Sequence, residues 1–252
     1  MKIGFIGVGT IASCMIEGFC GLGDAHTFYL SPRSAHRSGT LAAKYANCFV
    51  CESNQHVVDS ADAIIISMLA TDCLDVLRNL VFKPQQNVIN VVATIPPEDI
   101  LDAVGAVASC SHVIPLPAIK FRTGPIAAYP AGDFLADLLG PLGTVVFADS
   151  MNQIRAMQAI TGLMASYYQM LHELTIFAER EGLPRREATA FTSTFFASLC
   201  HNALDADFHE LADEMTPGGL NELAKNILTE SGAIRAWADV MQPVMERISR
   251  AK

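Results

Sequence analysis

The chain reads as an α/β domain built on a parallel sheet over residues 1–149, followed by an all-α domain over residues 150–252. Three observations carry this reading. Short apolar runs alternate with helical patterns through the first half, which is the signature of βαβ units. A glycine-rich segment directly follows the first of those runs. No strand pattern occurs after residue 149.

The apolar runs lie at residues 3–6, 27–30, 63–68, 88–92, 113–116 and 145–147. Ile64-Ile65-Ile66 is continuously apolar, as a parallel strand covered on both faces must be. Helical patterns over residues 11–21 and 73–80 lie between the runs. Ser150 with Gln153 three residues on forms a capping box that opens a long amphipathic helix. Its apolar positions are Ile154, Met157, Ile160, Met164, Tyr168, Leu171, Leu174 and Phe177, at helical spacing. Gly182 is expected to end it. Pro184 starts the next helix, where a missing N–H costs nothing, and that helix runs to about Leu204. Two shorter helical patterns, residues 220–230 and 234–250, are split by Gly232.

At 252 residues, with 51% hydrophobic and 17% charged residues, the chain can bury a sizeable core. A net charge of −9 excludes nucleic acid and anionic membrane as main partners, because both need a basic footprint. The expected partner is a small molecule. Lys2 and the apolar residues after it imitate a signal peptide, but Gly4, Gly7, Gly9 and Glu17 interrupt the stretch. No run approaches the ~18 apolar residues of a membrane helix. A soluble, cytoplasmic protein is expected. The seven cysteines are scattered. The lone pair Cys48 and Cys51 has no second pair, and ordinary buried thiols are expected rather than a zinc or redox centre.

Gly7-Val8-Gly9-Thr10-Ile11-Ala12 follows the first strand and opens a helix. This G-x-G-x-x-A order has a physical logic. Gly7 permits the tight turn, Gly9 lets the backbone approach a pyrophosphate, and Ala12 allows the helix to pack closely on the sheet. The phosphates rest on the helix N-terminus near Thr10 and Ile11. The segment therefore predicts a Rossmann-type dinucleotide-binding domain. A site for NAD normally has Asp or Glu after the second strand to accept the ribose 2′-OH. Here Leu30-Ser31-Pro32-Arg33-Ser34 stands instead, with no carboxylate until Glu52. An acid would repel a 2′-phosphate, whereas hydroxyls and a guanidinium bind one. NADP is the expected cofactor, with NAD less favoured, and Ser31, Arg33 and Ser34 are the expected phosphate ligands. Arg33 and Arg37 equally fit solvated loop cations.

With Gly7–Ala12 and Thr216-Pro217-Gly218-Gly219 both in view, the chain resembles the pyrroline-5-carboxylate reductase family. The resemblance spans nearly the whole length. It is best at residues 3–9, at Ala159-Ile160-Thr161-Gly162-Leu163, at Gly182-Leu183-Pro184-Arg185-Arg186, and over residues 215–232. It implies NAD(P)H-dependent reduction of the cyclic imine 1-pyrroline-5-carboxylate to proline. It also implies a helical domain that dimerises, as a homodimer or a higher oligomer of dimers, and Met68 and Leu69 beside the cofactor. The family's S/T-P-G-G segment receives the substrate carboxylate, which implies that role for Thr216, Gly218, Gly219, Leu220 and Asn221, with Thr216 and Asn221 nearest the chemistry. Thr216 offers a hydroxyl, the two glycines let N–H groups converge, and a helix N-terminus favours an anion. An ordinary Pro-Gly turn capped by Thr216 is the alternative.

The chain also departs from the family pattern. Asn221 stands where the family has Thr. Met164-Ala165-Ser166-Tyr167-Tyr168 replaces a small-residue stretch, Pro115-Leu116-Pro117 replaces P-N-T-P, and Leu69-Ala70 replaces Lys-Pro. Two other readings therefore stand beside proline synthesis: an NADP-dependent reductase of another imine or carbonyl compound, and a catalytically silent NADP-binding protein. Neither His172-Glu173 nor His209-Glu210 completes H-E-x-x-H, and no metal is expected. No G-x-S-x-G elbow exists. The helix from Ser150 to Phe177 has no lysine, which disfavours the β-hydroxyacid dehydrogenases that share the two-domain plan. Tyr167 and Tyr168 fit core or interface aromatics better than acids.

Overall fold

A computed structural model describes residues 1–23 and 26–250, the side chain of residue 250 excepted. They form two compact units. One comprises Met1–Gln158 and the described residues from Arg247 on; the other is Ala159–Glu246.

The first unit opens with β1 (Lys2–Ile6), α1 (Thr10–Cys20), β2 (Thr27–Leu30), α2 (Ala35–Lys44), β3 (Cys48–Val50) and α3 (Asn54–Ser60). It continues through β4 (Ala63–Ile66), α4 (Ala70–Arg78), β5 (Asn87–Asn90), α5 (Pro97–Val104) and β6 (Ser109–Ile114). After a 3-10 turn (Pro117–Phe121) come β7 (Pro125–Tyr129), α6 (Asp133–Leu139) and β8 (Thr144–Phe147), and then α7 (Met151–Thr161). The eight strands form one sheet in the order β3-β2-β1-β4-β5-β6-β7-β8. Strands β1 to β6 are parallel, β7 is antiparallel to β6, and β8 is parallel to β7. The strand order reverses between β1 and β4, and the carboxyl ends of those two strands make the crevice where such sheets bind ligands.

Alternate residues of each strand feed two cores, as the period of a strand demands. Ile3, Phe5, Ile65, Ile89 and Val113 pack with Met15, Ile16 and Phe19 of α1 on one face. Ile6, Ile64, Ile66 and Val88 pack with Val57, Leu77 and Ile100 on the other. Each such side chain contributes about 1.5–3 kcal/mol through burial. Gly18 lets α1 sit tightly on the 3-10 turn: a Cβ there would lie 2.6 Å from the Ile119 carbonyl oxygen. A smaller cluster of Ile114, Ala127, Ala148 and Ile154 fastens the start of α7 to the sheet.

The predicted strands all form, and two more join them. β3 is a three-residue edge strand with Phe49 and Val50 exposed, too short to leave an apolar run. β7 is built on Ala127-Ala128 and earns its place by pairing with both neighbours rather than by hydrophobicity. The capping box is displaced by one residue: Ser150 Oγ accepts from the Gln153 N–H at 3.3 Å, but Gln153 Oε1 accepts from the Asp149 N–H at 2.7 Å. The long helix expected from Ser150 is two helices, because the chain tightens at Gly162, whose N–H bonds the Ala159 carbonyl at 3.0 Å.

The second unit contains α8 (Met164–Arg180), α9 (Arg185–Asn202), α10 (Phe208–Asp213), α11 (Leu220–Glu230), α12 (Ala233–Asp239) and most of α13 (Met241–Arg250). Gly182 turns the chain between α8 and α9 in the left-handed region, at φ 95°, and Pro184 caps α9 instead of standing inside it. The short α10 was not expected; Asp207 caps it by accepting from the N–H groups of His209 and Glu210. The pattern over residues 234–250 divides at Val240 into α12 and α13. Within the described residues no strand follows β8, and no helix is long and apolar enough to cross a membrane. The unit buries little of its apolar content. Phe177, Phe191 and Leu220 are 62%, 69% and 84% exposed, and Phe191 and Phe195 stack in parallel at 6.4 Å.

Candidate functional site

The glycine turn is held from both sides. Gly7 has φ 91°, and a Cβ there would lie 2.7 Å from the Ser67 carbonyl oxygen, so only glycine fits. Ser31, at the end of β2, accepts the Gly7 N–H on its hydroxyl at 2.9 Å. Ser67, at the end of β4, donates its hydroxyl to the Gly7 carbonyl. Gly9 caps α1, and a Cβ there would meet nothing nearer than 3.9 Å. A Cβ would clash at Gly7 but make only ordinary van der Waals contacts at Gly9, so the Gly9 backbone is free of close protein contact, as the approach of a pyrophosphate requires. Ala12 is fully buried under the sheet, Ile11 is half-buried, and Thr10 is exposed at the first turn.

The expected phosphate ligands differ in placement. Ser31 is buried and braces the turn. Ser34 caps α2 and is half-buried. Arg33 pairs with Asp72 of α4 at 2.7 Å, and this guanidinium holds the Asp72 carboxyl below the usual carboxylate range. Arg33 and Asp72, with Asn54 and Thr71, border a cavity of about 540 Å³. Arg37 of α2 donates to the Thr10 hydroxyl at 3.3 Å, which sets a cation over the opening of the turn. Met68 lies against Gly7, and Leu69 is exposed at the cap of α4. Asp72 and Asn54 were not anticipated. Asp72 supplies the carboxylate that residues 31–34 lack, and a contact across 39 positions leaves no local signal.

A second cavity, of about 740 Å³, opens in the same unit beside α4, the loop after β5 and the start of α7. At its wall stands His112, buried to 1% exposure. Its Nδ1 lies 2.9 Å from Asn90 Nδ2, while Asn90 also donates to the Ile95 carbonyl and accepts from the Val92 N–H. Burial, and then the charge of Arg155, push His112 down to about 4. Burial likewise pushes the Cys48 thiol up to about 12, so the Cys48 and Cys51 pair is set against forming thiolates.

In the second unit, the chain at residues 216–221 turns as expected and is internally bonded. Gly218 has φ 74°, Gly219 caps α11, and the Gly219 N–H bonds the Thr216 carbonyl at 2.9 Å. The Gly218 N–H donates to the carboxylate of Glu222. A Cβ on Gly219 would lie 2.8 Å from the Thr216 carbonyl oxygen. Thr216, Leu220 and Asn221 are exposed. One of the amides expected to receive an anion, that of Gly218, thus holds a carboxylate of the chain itself. A glycine cap followed three residues later by glutamate is the sequence signal that Glu222 would reach back.

A parallel sheet with a reversed strand order, a glycine turn with an open face and a helix N-terminus beneath it define an NAD(P)-dependent oxidoreductase. Comparison with known proteins agrees. The family model described as NADP oxidoreductase, coenzyme F420-dependent, matches residues 2–109, and the one described as pyrroline-5-carboxylate reductase dimerisation matches residues 151–251. The chain is 26% identical over 246 residues to a pyrroline-5-carboxylate reductase of Pseudomonas aeruginosa, covering 93% of this chain and 86% of that protein. It superimposes on the 1-pyrroline-5-carboxylate reductase of Streptococcus pyogenes with a TM-score of 0.83 at 23% identity, over 99% of this chain and 98% of the other. The NADP-bound pyrroline carboxylate reductase of Plasmodium falciparum gives a TM-score of 0.83 at 16% identity, over 100% and 98%. The chain is similar to pyrroline-5-carboxylate reductases over most of its length and is an oxidoreductase acting on C=N bonds.

Keeping His112 neutral has a cost in acid. A histidine in the unfolded chain titrates near about 6.5, against about 4 in the folded one. Between those values the unfolded state binds the extra proton, so this contribution is whole above the upper value and is lost as pH falls towards the lower. The loss should be on the order of 3 kcal/mol. Urea unfolding at neutral and at mildly acid pH measures it. The His112→Gln variant should show a shallower acid loss than the wild type, and an equal slope in both would refute the assignment.

Proposed function

We propose that the chain reduces 1-pyrroline-5-carboxylate to proline with NADPH, working as a homodimer. The observation that carries the reading is the turn at Gly7 and Gly9, tightly closed at Gly7 and free of close contact at Gly9, in a chain whose second half matches a pyrroline-5-carboxylate reductase dimerisation domain. The cofactor, when bound, supplies a hydride to the imine carbon. The chain's own residues bind and orient. The amides of Gly9, Thr10 and Ile11 at the start of α1 hold the pyrophosphate, and Ala12 keeps α1 close to the sheet. Arg33 and Ser34, on the framework braced by Ser31, hold the 2′-phosphate, with Arg33 exchanging Asp72 for it. Arg37 offers a second cation beside Thr10. Met68 and Leu69 flank the path of the cofactor.

Thr216, Gly218, Gly219 and Leu220 receive the substrate carboxylate, and Asn221 hydrogen-bonds near the imine nitrogen. Glu222 must then release the Gly218 N–H, because two carboxylates cannot share it. The same contact favours a second reading, an imine substrate without a carboxylate. The exposed aromatic and aliphatic side chains of α8, α9 and α11 supply the apolar surface for the homodimer.

Three measurements test the proposal. NADPH should bind at least about tenfold tighter than NADH, and Arg33→Ala should shrink that ratio, since a phosphate-paired guanidinium contributes roughly 1.5–3 kcal/mol; equal affinities in the wild type would sink the cofactor assignment. Light scattering at micromolar concentration should report a dimer or a multiple of it, and a monomer would refute the assembly. Steady-state kinetics should compare 1-pyrroline-5-carboxylate with 1-pyrroline, which lacks the carboxylate. Gly219→Val should abolish most activity on the former, and Glu222→Ala should lower its KM by about tenfold, the worth of one charge-assisted hydrogen bond. Asn221→Thr should raise turnover if the carboxylated imine is the substrate. If 1-pyrroline is preferred and Glu222→Ala changes neither KM, the second reading stands.

A further inference from the structure

The cavity beside His112 takes no part in the reading above. The protonation of its histidine is fixed by geometry. The Asn90 amide is locked by two bonds to the backbone: Oδ1 accepts from the Val92 N–H at 2.9 Å, and Nδ2 donates to the Ile95 carbonyl at 2.7 Å. Nδ2 is therefore the atom facing His112 Nδ1, and because an amide nitrogen only donates, Nδ1 must accept. The ring proton then resides on Nε2. That Nε2 is fully buried and has no hydrogen-bond partner in the protein. A buried donor left unpaired costs about 1–3 kcal/mol, so it calls for an acceptor, and His112 is among the residues that line the cavity.

Arg155 of α7 lines the same cavity, and the two hydroxyls of Thr71 and Thr94 stand on its walls. Glu98 and Asp99, on the first turn of α5, line it from exposed positions. A neutral N–H donor and the guanidinium of half-buried Arg155 favour a single oxyanion, whereas the two acids repel a second negative charge. We propose that this cavity is a binding site for a small monocarboxylate, held between the His112 Nε2–H and the Arg155 guanidinium. None of the residues of the glycine turn lines it.

Acetate is the probe, added to the NADPH-saturated protein with ring-¹⁵N-labelled histidines, and the His112 signal is assigned by its absence in His112→Phe. The ligand-free spectrum should show the neutral ring with its proton on Nε2. Acetate should shift that signal saturably, Arg155→Gln should weaken the response about fivefold or more, and succinate should bind more weakly than acetate. The response should persist in Gly219→Val, which separates this site from the proposed substrate loop. Arg155→Gln changes a half-buried side chain, so the test stands even where His112→Phe fails to fold. The proposal is overturned if acetate produces no saturable shift, if Arg155→Gln leaves the response intact, if succinate binds more tightly, or if saturation with NADPH removes the response.

Discussion

The structure hangs on the backbone of Gly7. Its N–H is taken by Ser31 at the end of β2, and its carbonyl by Ser67 at the end of β4. These are the two strands that flank β1, so one residue ties three strand ends together at the point where the sheet reverses its order. The positive φ and the 2.7 Å clearance to the Ser67 carbonyl leave no room for a side chain. Hydroxyls in these positions cost no charge burial and satisfy a backbone pair that the sheet cannot reach. The turn is thereby held on both sides by the chain's own hydrogen bonds.

The same economy recurs around the ligand-facing surfaces. At two positions proposed to receive an anion, a carboxylate of the chain already stands in: Asp72 on Arg33, and Glu222 on the Gly218 amide. An exposed pair of this kind contributes little to stability, because solvent screens it and two side chains lose freedom. Its consequence is for binding. Under the proposed function, a ligand phosphate or carboxylate exchanges with an internal one, so selectivity depends on how much better the ligand fits than the side chain it displaces. His112 is the opposite case, a donor in a buried wall with no internal stand-in.

Much of this was legible in the sequence, and the reasons are local. The run Ile64-Ile65-Ile66 fits a strand covered on both faces. The order Gly7, Gly9, Ala12 after an apolar run specifies a turn, a close approach and a tight helix contact, each a property of a single residue. The helix over residues 220–230 follows from its glycine start and apolar spacing, and its bounds agree with those observed. Cofactor class and family followed from these segments because each couples a residue type to one backbone demand.

What only the tertiary structure decided are relations between distant residues. β7 carries two alanines where a strand pattern needs bulk, and it exists because β6 and β8 offer it hydrogen bonds on both edges. Arg33 meets Asp72, and Asn90 meets His112, across gaps that no periodicity encodes. Whether Ser31 faces a ligand or the turn depends on where β1 lies, which is a property of the sheet. Residue types set what each segment can form and which chemistry it can offer. Packing sets which of those groups remain available, because every polar group brought out of water must find a partner, and the nearest partner is seldom a neighbour in sequence.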